Sequence, residues 1–347
     1  MLKHKTKSFY ISYYLSHLLI CQLLFLSLFS FLLIYHGPFL KLKDNIVAMS
    51  MSTNKNKFFA TWFLSKNEID SILARTNPVV KDYKENLSGI NIQKNNLSES
   101  AGTGTKTKTD TQTSLNNSAN IKIIDIVDKN FSGKLVEISD PSKVTIGLAP
   151  NLGEKGTILS KILKSYGAVG GINAGGFLND SIVGGGTGGE PNGIVIENSE
   201  IKFVQKGLKT FDVIGFNKDN ILIISNSMNL DQIKKSNLRC AISFGPALIL
   251  NGKPLVKNGG TYLAPRSAIA QKKDGTVLLL AIDGRQSNSP GANYLDIQNI
   301  LLKYDAYNAA NLDGGGSTTL NYQGKTINSP SDITGERAIP TAFLIMP

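Results

Sequence analysis

The chain has 347 residues, of which 41% are apolar and 18% charged, and its formal net charge is +11. This composition is typical of a globular protein that carries additional polar segments. The length suffices for one large domain or for two domains of ordinary size. Residues 1–120 hold 14 Lys and Arg against 7 Asp and Glu, whereas residues 121–347 hold 23 against 19. Because residues 121–347 contain no basic run with interleaved aromatic residues, we expect no nucleic-acid partner.

An apolar segment, residues 11–35, contains no Lys, Arg, Asp or Glu. As a helix it would be about 37 Å long at ~1.5 Å per residue, which is enough to cross a bilayer with some tilt. Lys3, Lys5 and Lys7 precede it, so residues 1–10 are expected to be cytoplasmic. We therefore predict a single-pass signal anchor in the cell membrane and an extracellular C-terminal domain. A cleaved signal peptide is the alternative.

Two further segments separate this anchor from the predicted domain. Residues 36–85 form a mixed juxtamembrane region in which residues 67–73 are expected to form a short helix. Residues 86–120 are rich in Ser, Thr, Asn, Gly and Lys. Such a tract buries too little apolar surface to offset the entropy lost on ordering, so it predicts a flexible linker.

From about residue 121 the sequence is typical of a domain built on β-sheet. Turn pairs such as Asn251-Gly252 separate several of the strand-like runs. A helix is expected over 158–166 with Gly167 as its stop, and a second over 297–304 with Asn293 as its cap. Many strands with few helices predict a sheet-rich α+β fold, in a single domain over residues 121–347. The predicted strands are 121–127, 134–138, 144–149, 193–197, 212–216, 221–225, 247–250, 267–271, 277–283, 318–322 and 341–345.

Three consecutive glycines, Gly314, Gly315 and Gly316, follow Asp313 and precede the hydroxyls of Ser317 and Thr318. Glycine loses more conformational freedom on folding than any other residue, so such a run indicates positive φ or a close approach to a ligand. A nucleotide-binding loop is excluded, because no Lys follows the glycines and no helix is predicted to begin there. A glycine-containing hairpin or bulge is the alternative.

A second carboxylate, Asp283, follows the apolar run at 277–282 and begins an Asp-Gly-Arg sequence that ends at Arg285. A carboxylate at the end of a buried strand is held rigidly, although Asp-Gly is also an ordinary turn pair. All three histidines of the chain lie in residues 1–36. A Ser-His-Asp triad and a His-based zinc site are therefore excluded from the domain. Asp283 and Asp313 are then the natural catalytic pair, and paired carboxylates suit cleavage of a glycosidic bond.

Two further kinds of side chain are candidates for binding a substrate. Asn173, followed by Gly175 and Gly176, offers both a donor and an acceptor to a sugar hydroxyl. Arg266 and Arg337 carry guanidinium forks that suit phosphate, although each is equally suited to pair with a structural carboxylate.

Six ordered motifs in residues 121–347 resemble those of the phosphodiester glycosidase domain family. They are Asn-Ala-Gly-Gly-Phe at 173–177, Ala-Pro-Arg-Ser-Ala-Ile at 264–269, Asp-Gly-Arg-Gln at 283–286, Asn-Leu-Asp-Gly-Gly-Gly-Ser-Thr at 311–318, Ile-Asn-Ser-Pro-Ser-Asp at 327–332 and Glu-Arg at 336–337. The sequence departs from the family pattern where Asn173-Ala replaces Asn-Gly and where Thr318 replaces a second Ser.

The resemblance implies hydrolysis of a sugar 1-phosphodiester. Asp313 is then the base or nucleophile, with Asp283 as its partner. The phosphate is held by Arg266 and Arg337, and Arg285 belongs to the same binding set. The Gly314–Gly316 backbone cradles oxygens, and Asn173, Ser317 and Thr318 orient sugar hydroxyls. No cofactor is expected; Ca²⁺ stays open because the loop is rich in carboxylates, without spacing that supports it.

Two other functions remain open at this point. One is a binding module for wall glycan or teichoic acid that performs no turnover. The other is modification of a polymer during assembly of exopolysaccharide or cell wall, which differs only in its substrate. In every case the partners expected are a carbohydrate phosphodiester and, through residues 11–35, the membrane.

Overall fold

The structure is a computed structural model that describes residues 2–51, 57–81, 90, 121–178, 187–332 and 334–347. The chain divides into two compact units, Met1–Asn77 and Pro78–Pro347. The predicted linker, residues 86–120, lies outside the described residues apart from residue 90.

The described part of the first unit is helical. Its helices are α1 (Leu2–His36), α2 (Leu40–Met51), α3 (Phe58–Thr61) and α4 (Lys66–Thr76). The stretch Leu15–His36 has a mean hydropathy of 2.4 and is, by length and composition, able to cross a membrane. Helix α4 begins with a capping box, in which the Ser65 side chain accepts from the Glu68 N–H and the Glu68 carboxylate from the Ser65 N–H. This helix contains the short one predicted within the juxtamembrane region.

The second unit consists mainly of antiparallel strands, numbered in chain order. They are β1 (Val79–Val80), β2 (Ile121–Val127), β3 (Ser132–Ile138), β4 (Val144–Leu148), β5 (Gly170–Asn173), β6 (Ile194–Glu197), β7 (Glu200–Val204), β8 (Phe211–Asn217), β9 (Leu222–Met228), β10 (Leu238–Ile242), β11 (Ala247–Leu250), β12 (Lys253–Pro254), β13 (Val256–Asn258), β14 (Arg266–Lys272), β15 (Val277–Ile282), β16 (Ala306–Leu312), β17 (Leu320–Tyr322), β18 (Lys325–Thr326) and β19 (Thr341–Ile345). Its helices are α5 (Leu159–Tyr166), α6 (Leu230–Lys235) and α7 (Tyr294–Lys303).

These strands form one large sheet and two five-stranded sheets around a shared core, and β1 pairs with β13 in a two-stranded sheet. The seven-stranded sheet has the order β12-β11-β16-β14-β15-β3-β2, and the five-stranded sheets have the orders β18-β17-β5-β19-β4 and β7-β6-β10-β8-β9. One face of the large sheet contributes Ile269 and Leu279 to the core shared with the smaller sheets. The opposite face packs Leu278 and Leu280 against α7. The central strands β14 and β15 of the large sheet are therefore buried on both faces.

Helix α5 ends, and helix α7 begins, at the residue that the sequence predicted as its stop or its cap. Gly167 terminates α5 with φ +64°, and the Asn293 side chain accepts from the Asp296 N–H at the start of α7. The turn Asn251-Gly252 joins β11 to β12 with both residues at positive φ. The prediction of a sheet-rich α+β fold is confirmed.

Candidate active site

Two strands of the large sheet bring Asp283 and Asp313 to the same edge. Strand β14 lies between β15 and β16 and is antiparallel to both. Arg266 pairs with Ile282 and Ser267 with Leu312, so both flanking strands end beside the start of β14. Adjacent strands are about 4.8 Å apart, so the backbones of Asp283 and Asp313 are separated by about 10 Å across β14.

The carboxyl group of Asp313 is partly buried and electrostatically perturbed. Burial raises the pKa of Asp313 from 3.8 to about 6, against the opposing effects of the Ser317 hydroxyl, the Arg337 charge and the Gly314 N–H. The Asp313 N–H donates to the Ala174 carbonyl at 3.0 Å. A carboxyl group that exchanges its proton near neutral pH suits general acid–base work.

Asn173 fixes the position of Asp313. Its Nδ2 donates to the Asp313 carbonyl, and its Oδ1 accepts from Ser267 Oγ at 2.7 Å and from the Thr319 N–H at 3.1 Å. The side chain is 1% exposed. Because these contacts occupy both ends of the amide, Asn173 serves to hold three segments together around Asp313, where the sequence had suggested a contact with sugar hydroxyls.

The glycine run is a tight turn pressed against the start of β14. Gly315–Ser317 form a 3-10 turn, and Gly315 has φ +62°. The Gly315 N–H donates to the Pro265 carbonyl at 2.9 Å, so this amide is not available to a ligand. A Cβ on Gly315 would lie 3.1 Å from Nη2 of Arg285. Glycine is needed here both for its left-handed backbone and to let a guanidinium approach.

Two guanidinium groups flank this turn. Arg285 is exposed, has φ +60° and donates from Nη2 to the Tyr262 hydroxyl at 2.9 Å. The guanidinium of Arg337 lies 5.0 Å above the Phe177 ring, and its Nη1 is 3.7 Å from where a Cβ on Gly316 would lie. These two positive charges make the turn a suitable place for an anion.

Glu336, the sequence neighbour of Arg337, is engaged elsewhere. Its Oε2 accepts from the Ser160 N–H at 2.9 Å, and its Oε1 accepts from the Thr326 hydroxyl at 2.6 Å. The sequence equally allows Arg337 to pair with Glu336 or with Asp332. The contacts of Glu336 lie elsewhere, whereas Asp332 Oδ2 is 3.3 Å from where a Cβ on Gly316 would lie, beside the Arg337 guanidinium.

Arg266 is directed away from the Asp313 turn. Successive side chains on a strand point to opposite faces, and its neighbour Ser267 faces Asn173. The guanidinium of Arg266 instead stacks 4.2 Å from the centroid of the Tyr294 ring of α7 and donates from Nε to the Ala292 carbonyl at 3.0 Å. It is 8% exposed. The structure thus does not bring Arg266 together with Arg285 and Arg337.

Asp283 holds a neighbouring segment in place. Its Oδ1 accepts from the Ser329 N–H at 2.8 Å and from Asn328 Nδ2 at 3.2 Å. Asn328 Nδ2 also lies 3.2 Å from the Thr318 carbonyl, which links Asp283 to the glycine turn. Burial raises the pKa of Asp283, and the contacts with Ser329 and Asn328 oppose the increase.

The remaining predicted site residues lie inside the fold. The Gly175 N–H donates to the Thr341 hydroxyl at 3.1 Å, and a Cβ on Gly176 would lie 2.5 Å from the Phe244 ring. Ser317 and Thr318 are each 1% exposed. These four residues support the turn from within.

Four residues of the site were not assigned a role from the sequence: Phe177, Tyr262, Asn328 and Ser329. Three of them lie within the ordered motifs, so the resemblance had marked their segments without indicating a contact. Tyr262 lies two residues before the Ala-Pro-Arg-Ser motif and carries no sequence signal, because its hydroxyl meets Arg285 through the tertiary fold.

A separate cleft of about 510 Å³ lies in the second unit, and none of Asp283, Arg285, Asp313 and Arg337 lines it. It is lined by Phe244 and by Gly245 and Pro246, whose carbonyls accept from the side chain and the N–H of Asn311, respectively. Its lining also includes Asp212 and Leu208. Within the part of the chain that the structure describes, no three His, Cys, Asp or Glu side chains are grouped as metal ligands.

The raised pKa of Asp313 predicts a pH-dependent loss of stability. Below about pH 4 the Asp313 carboxyl group is protonated in both the folded and the unfolded chain. Between about pH 4 and 6 it loses this proton in the unfolded chain but keeps it in the folded chain, and this difference favours unfolding as the pH rises. At ~1.4 kcal/mol per pKa unit, the free energy of unfolding falls by about 3 kcal/mol over this window. Urea unfolding of Asp313→Asn should give a variant that is more stable than the parent at about pH 8 and equally stable at about pH 4. An equal difference at both pH values would contradict this account.

The family model for phosphodiester glycosidase matches residues 166–346, slightly more than half of the chain. The chain therefore belongs to the phosphodiester glycosidase family, as its motifs predicted. The fold is similar to that of the zebrafish N-acetylglucosamine-1-phosphodiester alpha-N-acetylglucosaminidase catalytic domain, with a TM-score of 0.54 and 24% identity, over 66% of this chain and 83% of that domain.

Two relatives show how far the similarity extends. The SPbeta prophage-derived uncharacterized protein YomE of Bacillus subtilis (strain 168) is 27% identical over 237 residues, covering 64% of this chain and 34% of YomE. The Bos taurus N-acetylglucosamine-1-phosphodiester alpha-N-acetylglucosaminidase is 40% identical over 70 residues, covering 20% of this chain and 13% of the bovine protein. The chain thus matches about a third of one relative and a smaller part of the other.

Proposed function

We propose that this protein hydrolyses a sugar 1-phosphodiester at the glycosidic C–O bond. The observation that carries the proposal is Asp313, whose pKa is raised to about 6, at the foot of a turn flanked by Arg285 and Arg337. Membership of the phosphodiester glycosidase family supports the same reaction.

In the proposed reaction, the Asp313 carboxylate either attacks C1 of the sugar, forming a glycosyl ester that water then hydrolyses, or takes the proton of a water that attacks C1. The bond between C1 and the phosphate oxygen breaks, and the phosphomonoester leaves with the electron pair. Arg285 and Arg337 stabilise the negative charge on that leaving group. Because a phosphate is a good leaving group, the reaction places little demand on a general acid, which fits a domain without histidine.

Asp283 is proposed to act as the partner of Asp313 from the other side of β14. Its charge lies close to the segment 328–329 and, through Asn328, to the glycine turn. Asn173 and Arg266 are then supporting residues. The first positions Asp313, and the second anchors the start of β14 to α7.

The apolar helix Leu15–His36 is proposed to anchor the enzyme in the cell membrane, with its N-terminus in the cytoplasm and its catalytic unit outside. Lys3, Lys5 and Lys7 support this orientation. An enzyme so placed would meet the sugar phosphodiesters of exopolysaccharide or cell-wall polymers.

Incubation of the full chain with a UDP-sugar or an aryl sugar 1-phosphodiester tests the proposed reaction. The expected result is release of free sugar and of UDP or the aryl phosphate. Binding of the phosphodiester without turnover would instead support the binding module and contradict the enzyme.

Tyr262 is expected to position Arg285 for phosphate. Tyr262→Phe removes the hydroxyl that accepts from Arg285 but keeps the ring that lies 5.7 Å from the Arg266 guanidinium. A hydrogen bond to a charged group contributes about 1.5–3 kcal/mol, so KM should rise roughly tenfold while kcat changes little. Steady-state kinetics checks this.

Tyr294→Phe is the matched control for Tyr262→Phe. It removes a hydroxyl from the other ring stacked on Arg266, 4.2 Å from the guanidinium, without touching the described contacts of Arg285. An unchanged KM in Tyr262→Phe, or an equal rise in Tyr294→Phe, would show that the Tyr262 hydroxyl does not position Arg285 for substrate.

A further inference from the structure

Five large apolar side chains are exposed in the segments of the first unit that follow helix α1. We call this set the interfacial patch; its members are Phe39, Leu40, Leu42, Phe58 and Trp62. Trp62 is 75% exposed, and the two leucines are 63% and 47% exposed. Single exposed apolar residues are ordinary on soluble proteins, whereas a group of them indicates a surface that contacts an apolar partner.

Two members of the interfacial patch, Phe58 and Trp62, are connected to the apolar helix through aromatic rings. The Trp62 ring lies 5.1 Å from that of Phe58, which lies 4.1 Å from that of Phe59. The Phe59 ring in turn stacks 6.5 Å from that of Phe31, near the end of α1. An unbroken series of aromatic rings thus leads from the apolar helix to Trp62.

Packing within the first unit places the interfacial patch beside the last turns of α1. The ring of Phe63 lies 5.4 Å from that of Phe31 and 4.9 Å from that of Tyr35, which is 1% exposed. Helices α2, α3 and α4 therefore gather around the last turns of α1, where the apolar span ends. Tryptophan is enriched at this depth in membrane proteins, because its ring is apolar and its N–H is polar.

Lysines lie in or next to the segments of the interfacial patch, together with the exposed carboxylate of Glu68, which is near Lys43. Lys41 and Lys43 alternate with Leu40 and Leu42, and Lys57 precedes Phe58. The Arg75 guanidinium, in contrast, is paired with Asp44 at 2.6 and 2.7 Å. Lysines beside an exposed apolar surface are typical of segments that lie in the membrane interface.

We propose that the interfacial patch inserts into the headgroup region of the leaflet in which α1 ends, with Lys41, Lys43 and Lys57 bound to anionic phospholipid. This inference rests on the proposed membrane anchor. It adds a second attachment that holds helices α2 to α4 on the bilayer surface. Two attachments bind a membrane more firmly than one, as with paired lipid anchors.

Trp62 reports directly on this contact, because it is the only tryptophan of the chain. The full chain would be reconstituted in vesicles of phosphatidylcholine and phosphatidylglycerol, with bromine placed either near the headgroup or near the end of the acyl chain. The expected result is strong quenching of Trp62 by the shallow bromines, weaker quenching by the deep ones, and protection from aqueous acrylamide. Vesicle flotation would be measured on the same samples.

Two outcomes overturn the proposal and are distinguishable. A chain that floats with vesicles while acrylamide, and not bromine, quenches Trp62 would show that the anchor holds and the patch does not insert. A chain that fails to float would overturn both the anchor and the patch.

A charge-removal variant tests the lipid preference. The triple variant Lys41→Gln, Lys43→Gln, Lys57→Gln should float normally but show roughly twofold higher acrylamide quenching of Trp62 in the anionic vesicles. Lys122→Gln, an exposed lysine of β2 in the second unit, is the control and should behave as the parent. Unchanged quenching in the triple variant would contradict the role of the lysines.

Discussion

Replacement of Asp313 by asparagine is expected to lower kcat by about 10²–10⁴-fold, the range associated with the loss of a positioned acid or base. The amide has nearly the shape of the carboxyl group but neither attacks C1 nor accepts a proton from water. Because burial already disfavours the charged form of Asp313, the variant should be folded and at least as stable as the parent near neutral pH. Turnover of a sugar 1-phosphodiester and thermal unfolding measure the two effects.

The pH dependence of kcat in the parent protein tests the same role of Asp313. If the Asp313 carboxylate is the active form, kcat should rise as the pH increases through about 6. The exposed Asp219→Asn is a matched control, with the same chemical change outside the site. Unchanged turnover in Asp313→Asn would contradict the proposed role.

Replacement of Asp283 by asparagine should separate its charge from its hydrogen bonds. The asparagine oxygen still accepts from the Ser329 N–H and Asn328 Nδ2, so the loop is kept while the charge is lost. We expect kcat to fall by about 10²-fold with little change in Tm. Asp283→Ala should lose activity as well as about 1–3 kcal/mol of stability, because two donors lose their buried acceptor.

The two Asp283 variants together distinguish a catalytic role of the Asp283 charge from a role in positioning the 328–329 segment. Full activity in Asp283→Asn combined with a loss in Asp283→Ala would mean that Asp283 only positions the 328–329 segment. Asp274→Asn is the control at the opposite end of β15, where the carboxylate also accepts a backbone N–H.

The sequence predicted those parts of the fold in which local preference and burial agree. Strands β2 and β15 have long β-branched or apolar runs, and Asn293 begins α7 as a capping residue should. Strand β16 was not predicted, because its residues Ala-Tyr-Asn-Ala-Ala-Asn-Leu have little β propensity. It is a strand because it is paired on both sides, with β11 and β14. The predicted strand at 318–322 begins only at Leu320, because residues 315–317 are taken into the 3-10 turn.

The sequence indicated candidate residues for the site but not the contacts they make. The Asp-Gly sequences indicated Asp283 and Asp313, and the structure brings both to one sheet edge. The sequence could not predict the face to which Arg266 points, because that face depends on strand register. It also could not predict the hydrogen bond between Asn173 and Asp313, because these residues are 140 positions apart. Contacts of this kind are set by the tertiary fold.

Hydrolysis in heavy-oxygen water tests the proposed reaction most directly. If the glycosidic C–O bond breaks, as the placement of Asp313 and the two arginines predicts, the water oxygen enters the sugar. Mass spectrometry should then show a phosphomonoester without heavy oxygen. A phosphomonoester that carries heavy oxygen would show cleavage of the P–O bond, and it would contradict the assignment of Asp313 to the anomeric carbon.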